Sequence, residues 1–291
     1  MIRPDTPSRG YLTHPARRLV VLDSPRLSAF RDFGWRYETV RVQGWGELMG
    51  CAEQEPPSSA VLLDPFADGD AEPDPRVAEL LRRTPSVPVV SAVEMNPWRV
   101  GGARRLLEWG VSELADLGVE RTPAALLPRL RAAHARPLKR RLEPALSRYV
   151  SAPALTLLRA AAEVVVDGGG RTELAGVFGV GERTLAGWCA REGLPHPRRL
   201  FPWMRVLLAL SLLEEPKRSV LAVARLTGYV DYRSLGRAVR QLTGDTGLAT
   251  TRGRSFAEAV QRFDAELREM RERVRERKRR ARLGPESIAN L

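Results

Sequence analysis

The chain is 291 residues long, 43% apolar and 28% charged, with 47 Lys plus Arg against 35 Asp plus Glu and a formal net charge of +12. That length suits about two domains of roughly 100–200 residues each and lets both bury a core. Two distant cysteines (Cys51, Cys189) exclude a disulfide framework, three scattered histidines (His14, His134, His196) offer no metal-ligand spacing, and apolar stretches such as VLLALSLL at 206–213 are too short to span a bilayer.

The charge is unevenly spread. Residues 1–136 hold 18 Arg and 18 acids, whereas residues 137–291 hold 29 bases against 17 acids and carry the whole excess. Half of that excess lies in 271–282, RERVRERKRRAR, with eight bases and two acids. A neutral half beside a basic half suggests a sensing or assembly module fused to a binder of polyanions. Lysine occurs only at 139, 217 and 278. Arginine suits bidentate contact with guanine or phosphate, although a GC-rich genome gives the same bias.

The N-terminal run MIRPDTPSRGYLTHPARR lacks the apolar core of a signal peptide, and 1–16 reads as a flexible arm. With cysteines suited to a reducing compartment, the expectation is a cytoplasmic protein that does not enter the membrane. Over 17–136, strand-like runs (RLVVLD, YETVRVQ, SAVLLDPF, VPVVSAV, SELADLG) alternate with helical ones (SPRLSAFRDFG, GWGELMGCAEQ, DPRVAELLRRT, NPWRVGGARRLLEWG, TPAALLPRLRAAHAR). Five alternations predict an α/β domain, an open parallel sheet with helices on both faces. Asp23 and Asp64 fall at the carboxyl edge, where such sheets carry their sites.

In topology this segment resembles a response-regulator receiver domain, which has the flavodoxin-like fold, but a degraded one. VLLDPF puts Asp64 at the phosphate-accepting position, and LVVLDSP puts Asp23 at one of two magnesium-binding acids, with Leu22 at the other. Leu117 stands where receivers carry a phosphate-binding lysine, and Val93 at the strand-four hydroxyl position, with Ser91 two residues early. The resemblance implies a pseudo-receiver for dimerisation or signal input that needs no cofactor. In the alternative, a phosphorylation-gated response regulator, Asp64 accepts phosphate and Asp23 and Asp64 bind magnesium. As plain strand-end residues, the two aspartates would cap turns and helices.

KRRLEPALSRYVSAPALTLLRAAAEVVVDGGG predicts linker helices over 137–170, with Leu155, Leu158, Ala162 and Val165 at helical spacing and Gly168–Gly170 ending the last. The glycine run has neither the preceding strand nor the Gly-Lys-Ser/Thr of a phosphate cradle. Over 171–252 two similar units follow, RTELAGVFGVGERTLAGWCAREG and SVLAVARLTGYVDYRSLGRAVRQLTG, joined by LFPWMRVLLALSLLEEP. Each has a short apolar helix (Leu174, Ala175, Val177; Leu221, Val223, Leu226), a glycine turn (Gly179 and Gly181; Gly228) and a longer arginine-rich helix. Such a helix pair lays its second helix in a DNA major groove. In the second unit Leu235, Val239 and Leu242 form the expected buried face, with Arg233, Arg237 and Arg240 opposite and Ser234 and Gln241 flanking them. In the first, Leu185 and Cys189 face inward with Trp188 partly covered. Arg183, Gly187 and Ala190 face outward there, and Thr184 and Arg191 lie at the margins.

Residues 171–252 resemble the DNA-binding domain of AraC-family transcription regulators, an all-helical domain of two helix-turn-helix units. The likeness runs through Val223, Ala224, Gly228, Tyr229, Leu235, Arg237, Ala238 and Gly244, with Cys189 and Val239 in place of the usual aromatic core residues. It implies double-stranded DNA as partner and Arg183, Thr184, Arg191, Arg233, Ser234, Arg237, Arg240 and Gln241 as contact residues.

An amphipathic basic helix is expected over 253–283. Phe256, Val260, Phe263, Leu267, Met270 and Val274 form an a/d stripe of under three heptads, suited equally to a dimer seam or to packing on the body. The arginine run beyond suits DNA phosphates, and 284–291 is a tail. Together these readings describe an α/β plus all-α chain acting as a sequence-specific transcription regulator. It is expected to form a homodimer, with RNA polymerase a further candidate partner. No nucleophile–base constellation suggests an enzyme. A third reading is a protein-interaction scaffold with reduced DNA reading.

Overall fold

Aliphatic runs rich in valine and leucine form the five strands β1 (Arg18–Leu22), β2 (Glu38–Val42), β3 (Ala60–Leu63), β4 (Val89–Val93) and β5 (Glu113–Asp116). All pair in parallel in the order β2-β1-β3-β4-β5, with Val20 in register with both Val40 and Val61. β1, β3 and β4 are buried almost throughout, as strands covered on both faces must be. This computed structural model describes residues 17–55, 58–66, 70–85, 87–146, 150–214, 219–244 and 255–283; the expected arm (1–16) and tail (284–291) lie outside them.

The chain divides into two units, Met1–Ala133 with Gly228–Val230, and His134–Thr227 with Asp231–Leu291. In the first, helices α1 (Trp45–Gln54), α2 (Arg76–Arg83) and α3 (Val100–Trp109) cover one sheet face. There Leu48, Leu80 and Leu106 pack on Val20, Val61 and Val93. The other face takes Leu126 and Leu130 from α4 (Pro123–Leu146), together with Leu27, Phe30, Phe33 and Tyr37 from the β1–β2 connection. The order is that of the flavodoxin-like fold.

One expected helix is absent. SPRLSAFRDFG forms two single 3-10 turns, Pro25–Leu27 and Gly34–Arg36. Gly34 sits at φ 63°, and the Asp32 carboxylate accepts its N–H at 2.6 Å, a local turn that competes with helix. The segment instead places stacked Phe30 and Phe33, and Tyr37 edge-on to Phe33, against the sheet.

The second unit is helical: α5 (Ala152–Val166), α6 (Arg171–Val177), α7 (Glu182–Arg191), α8 (Pro197–Leu213), α9 (Val220–Leu226), α10 (Tyr232–Thr243) and α11 (Ser255–Leu283). Its centre is α8, buried on nearly every side, which marks a core helix. Around α8 pack α5, α6, α7, α9, α10 and α11. Burying a side chain such as Leu207 or Leu210 contributes about 1.5–3 kcal/mol, so α8 concentrates much of this unit's stability. Gly168–Gly170 ends α5 as a tight cap, with the N–H of Gly169 bonded to Val164 O at 2.9 Å and Gly168 at φ 74°.

Candidate nucleic-acid interface

Two helix pairs are built alike. In the first, Leu174 and Ala175 of α6 and Leu185 and Cys189 of α7 point inward. Gly179 turns the chain between them at φ 63°. The N-terminal ends of the two helices are clipped together, Arg171 Nε pairing with Glu182 at 2.6 Å and the Thr172 hydroxyl bonding the same carboxylate at 2.5 Å. Val177 is exposed. Trp188, half-buried, meets Phe178 edge-on with centroids 5.9 Å apart. Cys189, at an aromatic position by the resemblance, is fully buried, and burial pushes its thiol up to about 11.

In the second pair Val223, Ala224 and Leu226 of α9 face Leu235 and Val239 of α10, while Leu221 is exposed. The buried row on α10 runs Leu235, Val239, Thr243, and not through Leu242, which is half-buried. Thr243 takes the inward place because its hydroxyl donates to Val239 O at 2.8 Å, satisfying its polar group inside the helix. Gly228 makes the turn at φ 85°.

α10 starts at a strong cap. The Asp231 carboxylate accepts the Ser234 N–H at 2.7 Å, and the Ser234 hydroxyl donates to it at 2.7 Å. Ser234, assigned to DNA from sequence, is half-buried and engaged in this cap. The bonds from Ser234 hold the half-buried Asp231 carboxyl below the usual carboxylate range.

The remaining assigned side chains are exposed: Arg183, Thr184 and Arg191 on α7, and Arg233, Arg237, Arg240 and Gln241 on α10. Arg233, Arg237, Arg240 and Gln241 share one face by their helical spacing. Arg233 is steadied by Tyr232, its Nε donating to the phenol oxygen at 3.3 Å. Among the described residues Arg183, Arg191, Arg237 and Arg240 make no ion pair or hydrogen bond through their guanidinium groups. Elsewhere Arg141, Arg159, Arg171, Arg199 and Arg268 are matched to carboxylates. The faces of α7 and α10 thus keep unspent donors of the kind that bind phosphate and guanine.

Residues 174–253 match the family model described as a helix-turn-helix domain. The chain carries a DNA-binding domain. Its helix-turn-helix units are α6–α7 and α9–α10, with α8 between them, and the match indicates a transcription regulator. Neither the curated proteins nor the solved structures compared with the chain gave a match.

α11 extends past the matched helix-turn-helix residues. Its stripe is used within the unit: Phe256, Val260, Phe263 and Leu267 are buried, while Met270 and Val274 are half-buried. From Glu272 to Arg280 all side chains but Val274 are exposed.

The α/β unit places Asp64 and Asp23 at the carboxyl edge, each with an arginine of its own. Asp64 is buried, accepts the Phe66 N–H at 2.9 Å, and pairs with Arg26 Nη1 at 3.3 Å. Arg99 stacks on the neighbouring Phe66 ring at 5.0 Å. Burial pushes the Asp64 carboxyl up, against the pull of the Phe66 N–H, Arg26 and Arg99. Asp23 pairs with Arg41 and accepts from Gln43 Nε2 at 3.3 Å; the bond from Arg41 draws its carboxyl down. Leu22 and Val93 are buried and Leu117 packs on the core. With the Asp64 and Asp23 carboxylates each engaged by a guanidinium and the apolar Leu22 at the second acid position, the edge does not fit a magnesium ion, which asks for several free hard oxygen ligands. No group of three or more His, Cys, Asp or Glu among the described residues is placed to hold a metal. No helix among them is long and apolar enough to cross a membrane.

Proposed function

We propose that the protein is a non-enzymatic, sequence-specific transcription regulator of AraC type, whose α10 face reads bases and whose α/β unit serves dimerisation or signal input. The observation that carries this reading is the set of exposed, unpaired arginines on the second helix of each helix-turn-helix pair, Arg183 on α7 and Arg237 and Arg240 on α10. Phosphate contacts give affinity and groove contacts give sequence preference. α10 offers long donors for the second task, whereas α7 offers Gly187 and Ala190 between Arg183 and Arg191.

Phosphorylation gating through Asp64 is disfavoured by its burial and its pairing with Arg26. For a homodimer the α/β unit is the better seat, because the apolar stripe of α11 is already occupied and Met95, Trp98, Leu107 and Val119 remain exposed on the first unit. RNA polymerase stays a candidate partner, and a scaffold with lost DNA reading is the competing class. Selection of bound sequences from random DNA at physiological salt decides the matter. Enrichment of a defined motif supports the regulator; retention with no motif sinks sequence-specific reading.

A further inference from the structure

α11 does more than cover the core. Along its inner face Phe263 packs on Trp203 of α8 with centroids 5.3 Å apart. One turn on, Glu266 accepts from Arg199 Nε at 2.5 Å and Nη2 at 2.9 Å, and from the indole Nε1–H of Trp203 at 2.8 Å. Three charge-assisted bonds to two residues of one helix fix both the depth and the rotation of α11 against α8.

The flanks of α11 meet the ends of both reading helices. Gly193 follows α7 at φ 68°, and a Cβ there would lie 2.5 Å from Arg271 Cγ and 3.2 Å from Arg271 Cα. Gly244 caps α10 at φ 73°, and a Cβ there would lie 3.2 Å from Arg262 Nη1. Nine residues separate Arg262 from Arg271, so the two side chains sit about 13 Å apart along α11 and on opposite sides of it. One helix therefore touches the C-terminal end of each reading helix while bonded to the linker helix between them.

We infer that α11 is a brace that fixes the separation and relative rotation of α7 and α10, with Glu266 as its positioning residue. The inference rests on the DNA-reading role proposed above. Two readers on one duplex must match the groove repeat of about 34 Å, so rotational play between them blurs the spacing they accept. A helix that merely stabilises the unit would change melting and weaken all DNA equally; a brace changes the tolerance for spacing.

The test uses the full chain in a Cys51→Ser background, with spin labels at Thr184→Cys and Gln241→Cys, both exposed. Distances between the labels are measured by pulsed electron spin resonance, which needs no DNA. A narrow distribution is expected, broadened at least about twofold by Glu266→Ala and less by Glu266→Gln. An unchanged width in a folded Glu266→Ala variant overturns the brace whether or not DNA is read. Should that variant fail to fold, Arg199→Gln, which keeps the Trp203 bond, carries the same expectation. On a selected bipartite site, inserting one base pair between half-sites should cost the native chain about tenfold in affinity and the Glu266→Ala variant about threefold or less. An equal penalty in both also overturns it. Absence of any selected motif counts against DNA reading alone, since the distance measurement stands apart from it.

Discussion

Arg26 lies 3.3 Å from Asp64, the carboxylate that the sequence places at a phosphate-accepting position, and shares its Nη1–H with the Phe66 carbonyl. An aspartate so held has both carboxylate oxygens engaged, one by the Phe66 N–H and the other by Arg26. Incubation with acetyl phosphate and magnesium should leave the intact mass unchanged; a stoichiometric adduct lost in Asp64→Ala would falsify this. The pH dependence follows from burial. Because the folded carboxyl is pushed above its unfolded value of about 3.9, its contribution is fully present below that value and fades as pH rises through the folded one. Asp64→Asn keeps the acceptor for Phe66 and should melt at or above the native chain at pH 7, with the advantage shrinking towards pH 4.

Sequence reading should concentrate in α10. A bidentate arginine–guanine pair discriminates by about 1–3 kcal/mol, so Arg237→Ala should lose roughly tenfold to a hundredfold on a selected site. The loss on random DNA should be small. Arg183→Ala should weaken both by a smaller, similar factor. Specificity ratios at one fixed salt concentration check this, and the reverse pattern would place the reader in α7.

Ser234 separates a cap from a contact. Its hydroxyl and N–H both bond Asp231, so Ser234→Ala and Asp231→Ala should each lower stability by about 0.5–2 kcal/mol while leaving the specificity ratio within twofold. Denaturant melts and binding ratios measured on the same preparations decide it. A collapsed ratio at unchanged stability would return Ser234 to the DNA.

The basic end of α11 should act on phosphate only. Removing residues 275–291 leaves the Arg271 contact with Gly193 in place. It should weaken selected and random DNA alike, and flatten the dependence of affinity on salt. Titrations at 50 and 200 mM salt measure both effects; a loss confined to the selected site would contradict a phosphate role.

Cys189 should be inert in the folded chain. With its thiol pushed up to about 11 and no exposed surface, only about one molecule in a thousand is thiolate at pH 8. Iodoacetamide should therefore label half-buried Cys51 slowly and reach Cys189 only on unfolding. Mass spectrometry of the native chain showing two rapid additions would contradict this.

The sequence by itself determined the five strands, since Val- and Leu-rich runs separated by amphipathic segments admit little besides a parallel sheet. It determined the helix-turn-helix pairs too, because Gly179 and Gly228 sit where only glycine turns easily and apolar residues recur at helical spacing. It misread SPRLSAFRDFG, whose helical pattern of apolar residues is also met by aromatic side chains laid on a sheet from an irregular segment, with Gly34 at positive φ deciding the matter. It could not say that Thr243 and not Leu242 faces inward, because a threonine hydroxyl that bonds its own helix is locally satisfied at no cost in pattern. Nor could it choose between a dimer seam and self-packing for α11. Both bury the same stripe, and only the position of Glu266 opposite Arg199 and Trp203, 63 and more residues away in sequence, selects the second. On α7, and on α10 apart from Ser234, Leu242 and Thr243, periodicity alone separated exposed from buried side chains. That Arg183, Arg191, Arg237 and Arg240 make no ion pair or hydrogen bond through their guanidinium groups among the described residues, while Arg171, Arg199 and Arg268 do, is a property of distance, and distance belongs to the tertiary structure.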